Sequence, residues 1–552
     1  MKDDSNLRVI LAIVISFVFI AVYGHFFSNT TSVSNPQKNV TEAQQNSSPK
    51  LNQNQADIGH SPVALQDEGK IISQIKSDSF EIDVDTLGRI SQVYLKDKKY
   101  TANARELGFF DHIKILFGMM KKPEVKDKLP LLQYGSVKPL EMRFQDEKIN
   151  KEAFETPYVA SKKEILMNTN DSQVLVLTQR LKEVEIKKIL TFHRDLSYDI
   201  QIQVSDPRLT YFITNGARPI TDMENYAFNG VILEKNDEKI EKIEDKDAKD
   251  SKEFSGVKFI ASVDRYFTTL FFEKKQSLST IVDGDMKKNP IPYVYAKGEL
   301  ELGGYIGPKD YGILQSIQPS LKNVIEYGMM TFFAKPLFLL LNFLHQYIGN
   351  WGWAIIVLTI IVKLILYPLS FKGMVSMQKL KELTPKMKEI QEKYKGDPQK
   401  LQAHMMQLYK KHGANPLGGC LPLIIQIPIF YSIYRVLYNS VELKSAEFIL
   451  WIHDLSAMDP FFVLPILMGA SMFLQQHLTP SGITDPMQAK VFKMLPVIFT
   501  VFLIFFPAGL VLYWTINNIL SILQQLSINY MLERKKQQEI TLHRGMHKDE
   551  KN

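Results

Sequence analysis

The chain has 552 residues, 45% of them hydrophobic, with 66 Lys and Arg against 59 Asp and Glu. That length exceeds one small domain, and the surplus of 66 − 59 = +7 charges is concentrated beside the hydrophobic stretches, which fits membrane topology better than a nucleic-acid-binding surface. Cys420 is the only cysteine, so an intramolecular disulfide and a cysteine-rich zinc site are both excluded.

Lys2 and Arg8 precede an apolar stretch from Val9 to Tyr23, and Phe26-Phe27-Ser28-Asn29 makes a poor cleavage site. Residues 1–27 therefore read as an uncleaved transmembrane anchor with its amino end in the cytoplasm. Residues 28–76 are rich in Asn, Gln, Ser and Pro and predict a flexible linker. Beyond them the pattern changes to alternation, as in Tyr198-Asp199-Ile200-Gln201-Ile202-Gln203-Val204, which predicts half-buried antiparallel strands. Residues 77–318 are thus expected to form a large β domain across the membrane from the amino terminus. Within it the charged run Glu234–Glu253 reads as a solvated loop. Residues 319–350 mix Lys322, Asn323 and Glu326 with Phe332, Phe333, Leu337 and Phe338 and predict an amphipathic helix lying along the membrane surface.

Residues 351–530 carry five candidate spans: 351–369, 417–438, 461–476, 491–506 and 508–530. Lysines dominate the loop after the first span, Glu442, Glu447, Asp454 and Asp459 the loop after the second, and residues 531–552 form a basic tail. By the positive-inside rule the lysine-rich loop and the tail are cytoplasmic and the acidic loop is outside. In the lysine-rich loop, Met377, Leu380, Leu383, Met387, Ile390 and Tyr394 repeat at spacings of three and four, and Gly396-Asp397-Pro398 signals a turn. An antiparallel helical hairpin over 373–413 follows.

Lys363 lies roughly 18 Å along the first span, too deep in a hydrocarbon core of about 30 Å to be a boundary residue. A charge there costs on the order of 2.5–3.5 kcal/mol and ordinarily faces a bundle interior or a wet cavity. Thr359 stands one turn before it. Gln426 in the second span and Thr515, Asn518 and Gln525 in the last predict a polar stripe beside it. Arg435, near the outer end of its span, is expected to snorkel to the interface.

Local motifs sharpen this outline. Asn415-Pro416-Leu417-Gly418-Gly419-Cys420 with Pro422, Gln426 and Pro428; Trp451-Ile452-His453-Asp454-Leu455 with Asp459-Pro460; Asp485-Pro486-Met487; and Phe506-Pro507-Ala508-Gly509-Leu510-Val511-Leu512-Tyr513 together resemble the YidC family of membrane protein insertases in its Gram-negative form. The resemblance implies a polytopic α-helical membrane protein, an amino-terminal anchor plus a five-helix core, with a large extracytoplasmic β super-sandwich domain and a cytoplasmic helical hairpin. It implies a hydrophilic groove open to cytoplasm and lipid, whose cation falls at Lys363, where Gram-negative members commonly have arginine. Tyr513 belongs to the same groove, and Trp514 stands where a second tyrosine is frequent. The implied residence is the bacterial inner membrane, with both termini cytoplasmic. The implied partners are nascent membrane proteins, the ribosome, the Sec translocon and membrane lipids, without sequence-specific nucleic acid, metal or cofactor.

Two other classes compete. A membrane-anchored enzyme would need catalytic residues in the β domain, yet neither an H-E-x-x-H motif nor a nucleophile elbow is present. A secondary transporter would be expected to show repeated halves, and no repeat is evident. The chain reads as an insertase rather than an enzyme, and no G-x-x-x-x-G-K-[ST] loop supplies a nucleotide site.

Overall fold

The structure, a computed structural model, describes residues 69–101, 114, 118–119, 127–167, 172–220, 227–412, 421–478 and 486–549. The anchor expected over 1–27, most of the linker, and Cys420 with the motif around it lie outside the described residues.

Two sheets make the β domain. In the smaller, Ile71–Lys76, Phe80–Asp85 and Ile90–Leu95 run antiparallel, flanked by Leu129–Pro130 at one edge and a parallel Glu164–Leu166 at the other. Regular structure therefore begins before residue 77. Ile75 faces the core and Ile71–Lys76 pairs along Phe80–Asp85, so the linker expected to reach residue 76 ends earlier. The larger sheet has thirteen strands. Along Ser197–Val204 the alternation in sequence becomes alternation in space: Ile200 and Ile202 are buried, and Ile200 lies opposite Leu190 on one neighbour and Leu302 on the other. These side chains meet Ile82, Val84 and Val93 of the smaller sheet in one core, each contributing about 1.5–3 kcal/mol by leaving water. Lys188 points into that core by the same period-two rule. Its amine donates to the Gly88 and Leu140 carbonyls at 2.9 and 2.7 Å, and burial pulls it down to about 7.

The run Glu234–Glu253 is largely exposed, as a solvated segment should be, but part of it is paired strand and not loop. Gly230–Lys235 pairs with both Ile240–Glu244 and Lys252–Val263. Glu234 is buried, with Lys258 Nζ at 3.4 Å and Asn323 Nδ2 at 2.8 Å. The ladder partners of these charges are apolar, Ile240 and Phe259 opposite Glu234 and Ile232 opposite Lys242, so the counter-charge of Glu234 comes from outside its register, which a count of charges does not reveal.

Lys252–Val263 is buried on both faces at its end. Ile260 joins the sandwich core, while Phe259, Ala261 and Val263 join a second core that runs through the helix Tyr311–Ile317 and the 3₁₀ turn Pro319–Val324 into the helical part of the molecule. The helices are α1 (Thr331–Ile348), α2 (Trp351–Ile365), α3 (Tyr367–Lys393), α4 (Pro398–Lys411), α5 (Leu421–Asn439), α6 (Val463–Leu478), α7 (Pro486–Leu503) and α8 (Ala508–Asp549). Gly349 ends α1 in the left-handed region at φ 72° and Asn350 caps α2, its side chain accepting from Trp353 N. A stop signal and a start signal thus occupy adjacent residues. Helices α3 and α4 pack through Leu380, Leu383 and Met387 against Met405 and Leu408. The turn between them carries Gly396 at φ 106°, and Asp397 caps α4. Met377, Met387 and Met405 pack between the two helices, whereas Met406 is exposed.

The first span is not straight. α2 stops at Ile365, and α3 leaves at 64° instead of the span continuing to Leu369. Pro368, in the first turn of α3, has no N–H to continue the ladder and restricts the residue before it. No single helix among the described residues is long and apolar enough to cross a membrane, but the bent pair Trp351–Ile365 and Tyr367–Leu380 together has the length and composition to do so.

Glu442 is buried where the segment after α5 meets the β domain, and its Oε1 accepts Tyr311 N at 3.0 Å. Burial, reinforced by the Asp310 carboxylate, pushes it from 4.5 up to about 7. A carboxyl raised in the folded state favours the protonated form, so its contribution is complete below about 4.5 and is lost as pH rises to about 7. Glu442→Gln is expected to remove a decline on the order of 1.4 kcal/mol per pH unit over that window. Thermal unfolding of the detergent-solubilised protein from pH 4.5 to 7 measures it, and superimposable pH profiles would exclude the assignment.

Candidate functional site

Lys363 is in the last turn of α2, three residues before the bend at Leu366. The negative end of the helix dipole favours a cation there. Its half-buried side chain reaches α8, where Nζ donates to Asn517 Oδ1 at 3.1 Å and Ser521 Oγ at 2.7 Å. Neither partner carries a charge, so among the described residues the amine is met by dipoles and by no counter-ion. From α5, Gln426 Nε2 reaches the same Asn517 Oδ1 and the Tyr513 hydroxyl, both at 3.3 Å. Three helices therefore converge on one polar knot, with Asn517 accepting from two of them.

Tyr513, Asn517 and Ser521 recur every four residues along one face of α8. Gln525, buried, is the next position in that stripe, and Gln524 beside it is buried as well. Sequence periodicity picked Thr515, Asn518 and Gln525, of which Gln525 alone lies on this stripe, and omitted Asn517 and Ser521. The signal was present, since counting in fours from Tyr513 meets polar residues at 517, 521 and 525.

The remaining candidates turn elsewhere. Thr359 Oγ1 donates to Ile355 O at 2.6 Å and Thr515 Oγ1 to Val511 O at 2.8 Å, so both hydroxyls bond to their own helix. Asn518 Nδ2 donates to Ser471 Oγ of α6 at 3.1 Å. Trp514 wedges between Phe430 of α5, edge-on at 4.4 Å, and Phe499 of α7 at 5.4 Å. Lys363, Gln426 and Tyr513 come together, whereas Thr359, Trp514, Thr515 and Asn518 support the helices around them.

Arg435 does not snorkel. It is buried, and its Nη2 lies 2.8 Å from Glu326 Oε2. The Glu326 side chain also accepts from Lys242 Nζ at 2.6 Å. Although burial pushes Glu326 up, Lys242 and Arg435 outweigh it and hold the carboxyl below its usual range. A counter-ion brought by a segment distant in sequence replaces the water that snorkelling would have sought.

The outside of the helical part has the opposite character. Leu364, Ile365, Ile466, Phe473, Val497 and Leu523 are exposed, Ile365 at 71%. An outer surface this apolar, around an apolar interior that also holds a polar knot, is not that of a water-soluble bundle. The acidic loop closes over one end. Asp459 accepts from Trp451 Nε1, Phe461 N and Leu464 N at 3.0, 3.0 and 2.6 Å, and the Ala457 and Leu455 carbonyls accept from Ala508 N and Gly509 N at the start of α8.

Residues 343–536 match the family described as 60Kd inner membrane protein, and residues 126–340 match the YidC periplasmic domain. A membrane protein insertase YidC of Helicobacter pylori is 57% identical over 97% of this chain and 98% of its own length. One of Wolinella succinogenes is 51% identical over 97% of each chain. A crystal structure of an active YidC insertase with its first transmembrane domain resolved covers 82% of this chain and 94% of that one at 19% identity and a TM-score of 0.36, too loose a likeness to carry argument. The architecture and the two matched regions define an inner-membrane protein with a periplasmic β domain. The chain belongs to the YidC family of membrane protein insertases.

Ser521→Ala is expected to remove about 1.5–3 kcal/mol, the usual worth of a hydrogen bond to a charged group. Asn517→Leu should cost more, because it takes one acceptor from both the Lys363 amine and the Gln426 amide. Thermal unfolding of the two variants measures the difference, and equal melting temperatures for wild type and both variants would contradict it.

Proposed function

We propose that this chain inserts proteins into the inner membrane and assists their folding there, with the knot of Lys363, Gln426, Tyr513, Asn517 and Ser521 facing a hydrophilic groove open to the cytoplasm and to lipid. The observation that carries this reading is the charge of Lys363, held by neutral dipoles inside a bundle whose outer surface is apolar. A polar flank crossing lipid unaided loses several kcal/mol per charge at the bilayer centre. A groove with a fixed cation lowers that barrier for acidic residues, and an inside-negative potential adds about 2.3 kcal/mol per charge per 100 mV in the outward direction. The apolar segment of the client then partitions directly into lipid along the exposed face beside Leu364 and Ile365.

In this reading α2, α5, α6, α7 and α8 form the five-span core, broken or kinked where prolines interrupt them, and both termini face the cytoplasm. The lysine-rich hairpin of α3 and α4 and the basic carboxy-terminal end of α8 receive the ribosome through charge alone, and cooperation with the Sec translocon operates from the same side. Lysine offers client carboxylates a point charge where arginine would offer a bidentate fork.

In reconstituted liposomes, Lys363→Ala is expected to lower insertion of a small client with an acidic translocated tail about tenfold, equivalent to ~1.4 kcal/mol of lost stabilisation. Lys363→Arg should retain activity, and an alanine variant as active as wild type would defeat the role given to the amine. Removal of residues 531–552 should weaken ribosome pelleting and reduce its salt sensitivity. Pelleting that is undiminished would remove the tail from the account.

A further inference from the structure

The outer end of α5 is held by several polar ties to segments distant in sequence. Arg435 sits among Ile433, Val436 and Leu437, all buried, where a guanidinium without a counter-ion is strongly disfavoured. Glu326 supplies that counter-ion at 2.8 Å, and the adjacent Tyr327 carbonyl accepts from Arg435 Nε at 3.4 Å. One turn on, Asn439 Nδ2 donates to the Glu326 carbonyl at 2.9 Å, and Arg265 of the β domain donates to Tyr438 O at 2.9 Å with its guanidinium 3.8 Å from the Tyr438 ring. The Glu326 segment is itself fixed from elsewhere. Lys242 Nζ and Gly328 N both reach Oε1, at 2.6 and 2.5 Å, and Gly328 at φ 78° folds the chain tightly against Arg435.

Nine residues before Arg435, about 13 Å along the same helix, Gln426 makes its bonds to Tyr513 and Asn517. A slip of α5 by one residue rotates Gln426 by about 100° and takes it off the stripe on α8. We infer that the buried Glu326–Arg435 pair is a positioning device for the polar groove, pinning the register of α5 so that Gln426 closes the knot around Lys363. The inference rests on the knot being the groove wall, but its geometric half is measurable without a client. Glu326 and Arg435 touch neither Lys363 nor any group proposed to meet a client; they act through the placement of Gln426.

The test uses full-length protein in membranes with Cys420→Ala and cysteines introduced as Gln426→Cys and Tyr513→Cys, joined by a short bismaleimide. Glu326→Gln is expected to reduce that crosslink at least threefold, and Glu326→Asp to restore most of it. Because Glu326→Gln leaves Arg435 buried without its charge partner and risks misfolding, the double variant E326Q/R435M is the decisive protein: neither charge of the pair remains, so thermal stability should stay near wild type while crosslinking remains low. A stable double variant that crosslinks like wild type overturns the inference, since a merely structural pair predicts that result. Insertion of the acidic-tailed client by E326Q/R435M without introduced cysteines separates the two claims. Parallel loss of crosslinking and insertion supports both, whereas loss of crosslinking with full insertion upholds the positioning role and counts against the groove.

Discussion

An amine carried by an otherwise apolar helix must be met by polar atoms from other helices, and the arrangement of the helical part follows from where those atoms come from. Lys363 draws α2 and α8 together through Asn517 and Ser521, and the Asn517 carboxamide recruits α5 through Gln426. Dispersion and close packing then fill the remaining contacts, from Leu358 on α2 to Leu464 and Met468 on α6. The hydrophobic effect cannot fix such an arrangement in lipid, because a leucine on the outside is as well placed there as one inside. Directional hydrogen bonds supply the specificity that burial supplies in water.

The same logic recurs at the outer end with a different solution. Arg435 has a full negative charge opposite it, and Glu326 is shared with Lys242 from the β domain. At Lys363 the two partners are neutral, and no counter-ion meets the amine among the described residues. At the junction with the β domain Arg435 is neutralised. One arrangement leaves the field of the amine uncancelled, and the other uses up the field internally to hold two parts of the chain together.

Periodicity reads well where one face is buried and the other wet. Ile200, Ile202 and their neighbours were placed by alternation, and Leu380, Leu383 and Met387 by helical spacing, because each obeys a local two-sided contrast. The Gly396-Asp397-Pro398 turn was legible for a similar reason, since capping and positive φ are properties of single residues. What failed depended on partners far away in sequence. Glu234 looks solvated until Lys258 and Asn323 arrive, and Arg435 looks like an interfacial residue until Glu326 does. In α8 the polar residues are dense enough that two faces compete. Only the position of Lys363 on another helix decides for Asn517 and Ser521 over Thr515 and Asn518.

The elbow at Leu366 has a mechanical consequence. It separates the amine from the hairpin by less than one helical turn, yet α3 extends from it for 27 residues, about 40 Å of lever. A swing of about 10° at the elbow carries the far end of α3 through roughly 7 Å, while Lys363, beside the fulcrum, scarcely shifts. The far end of α3 can sweep a wide arc without disturbing the polar knot around the amine.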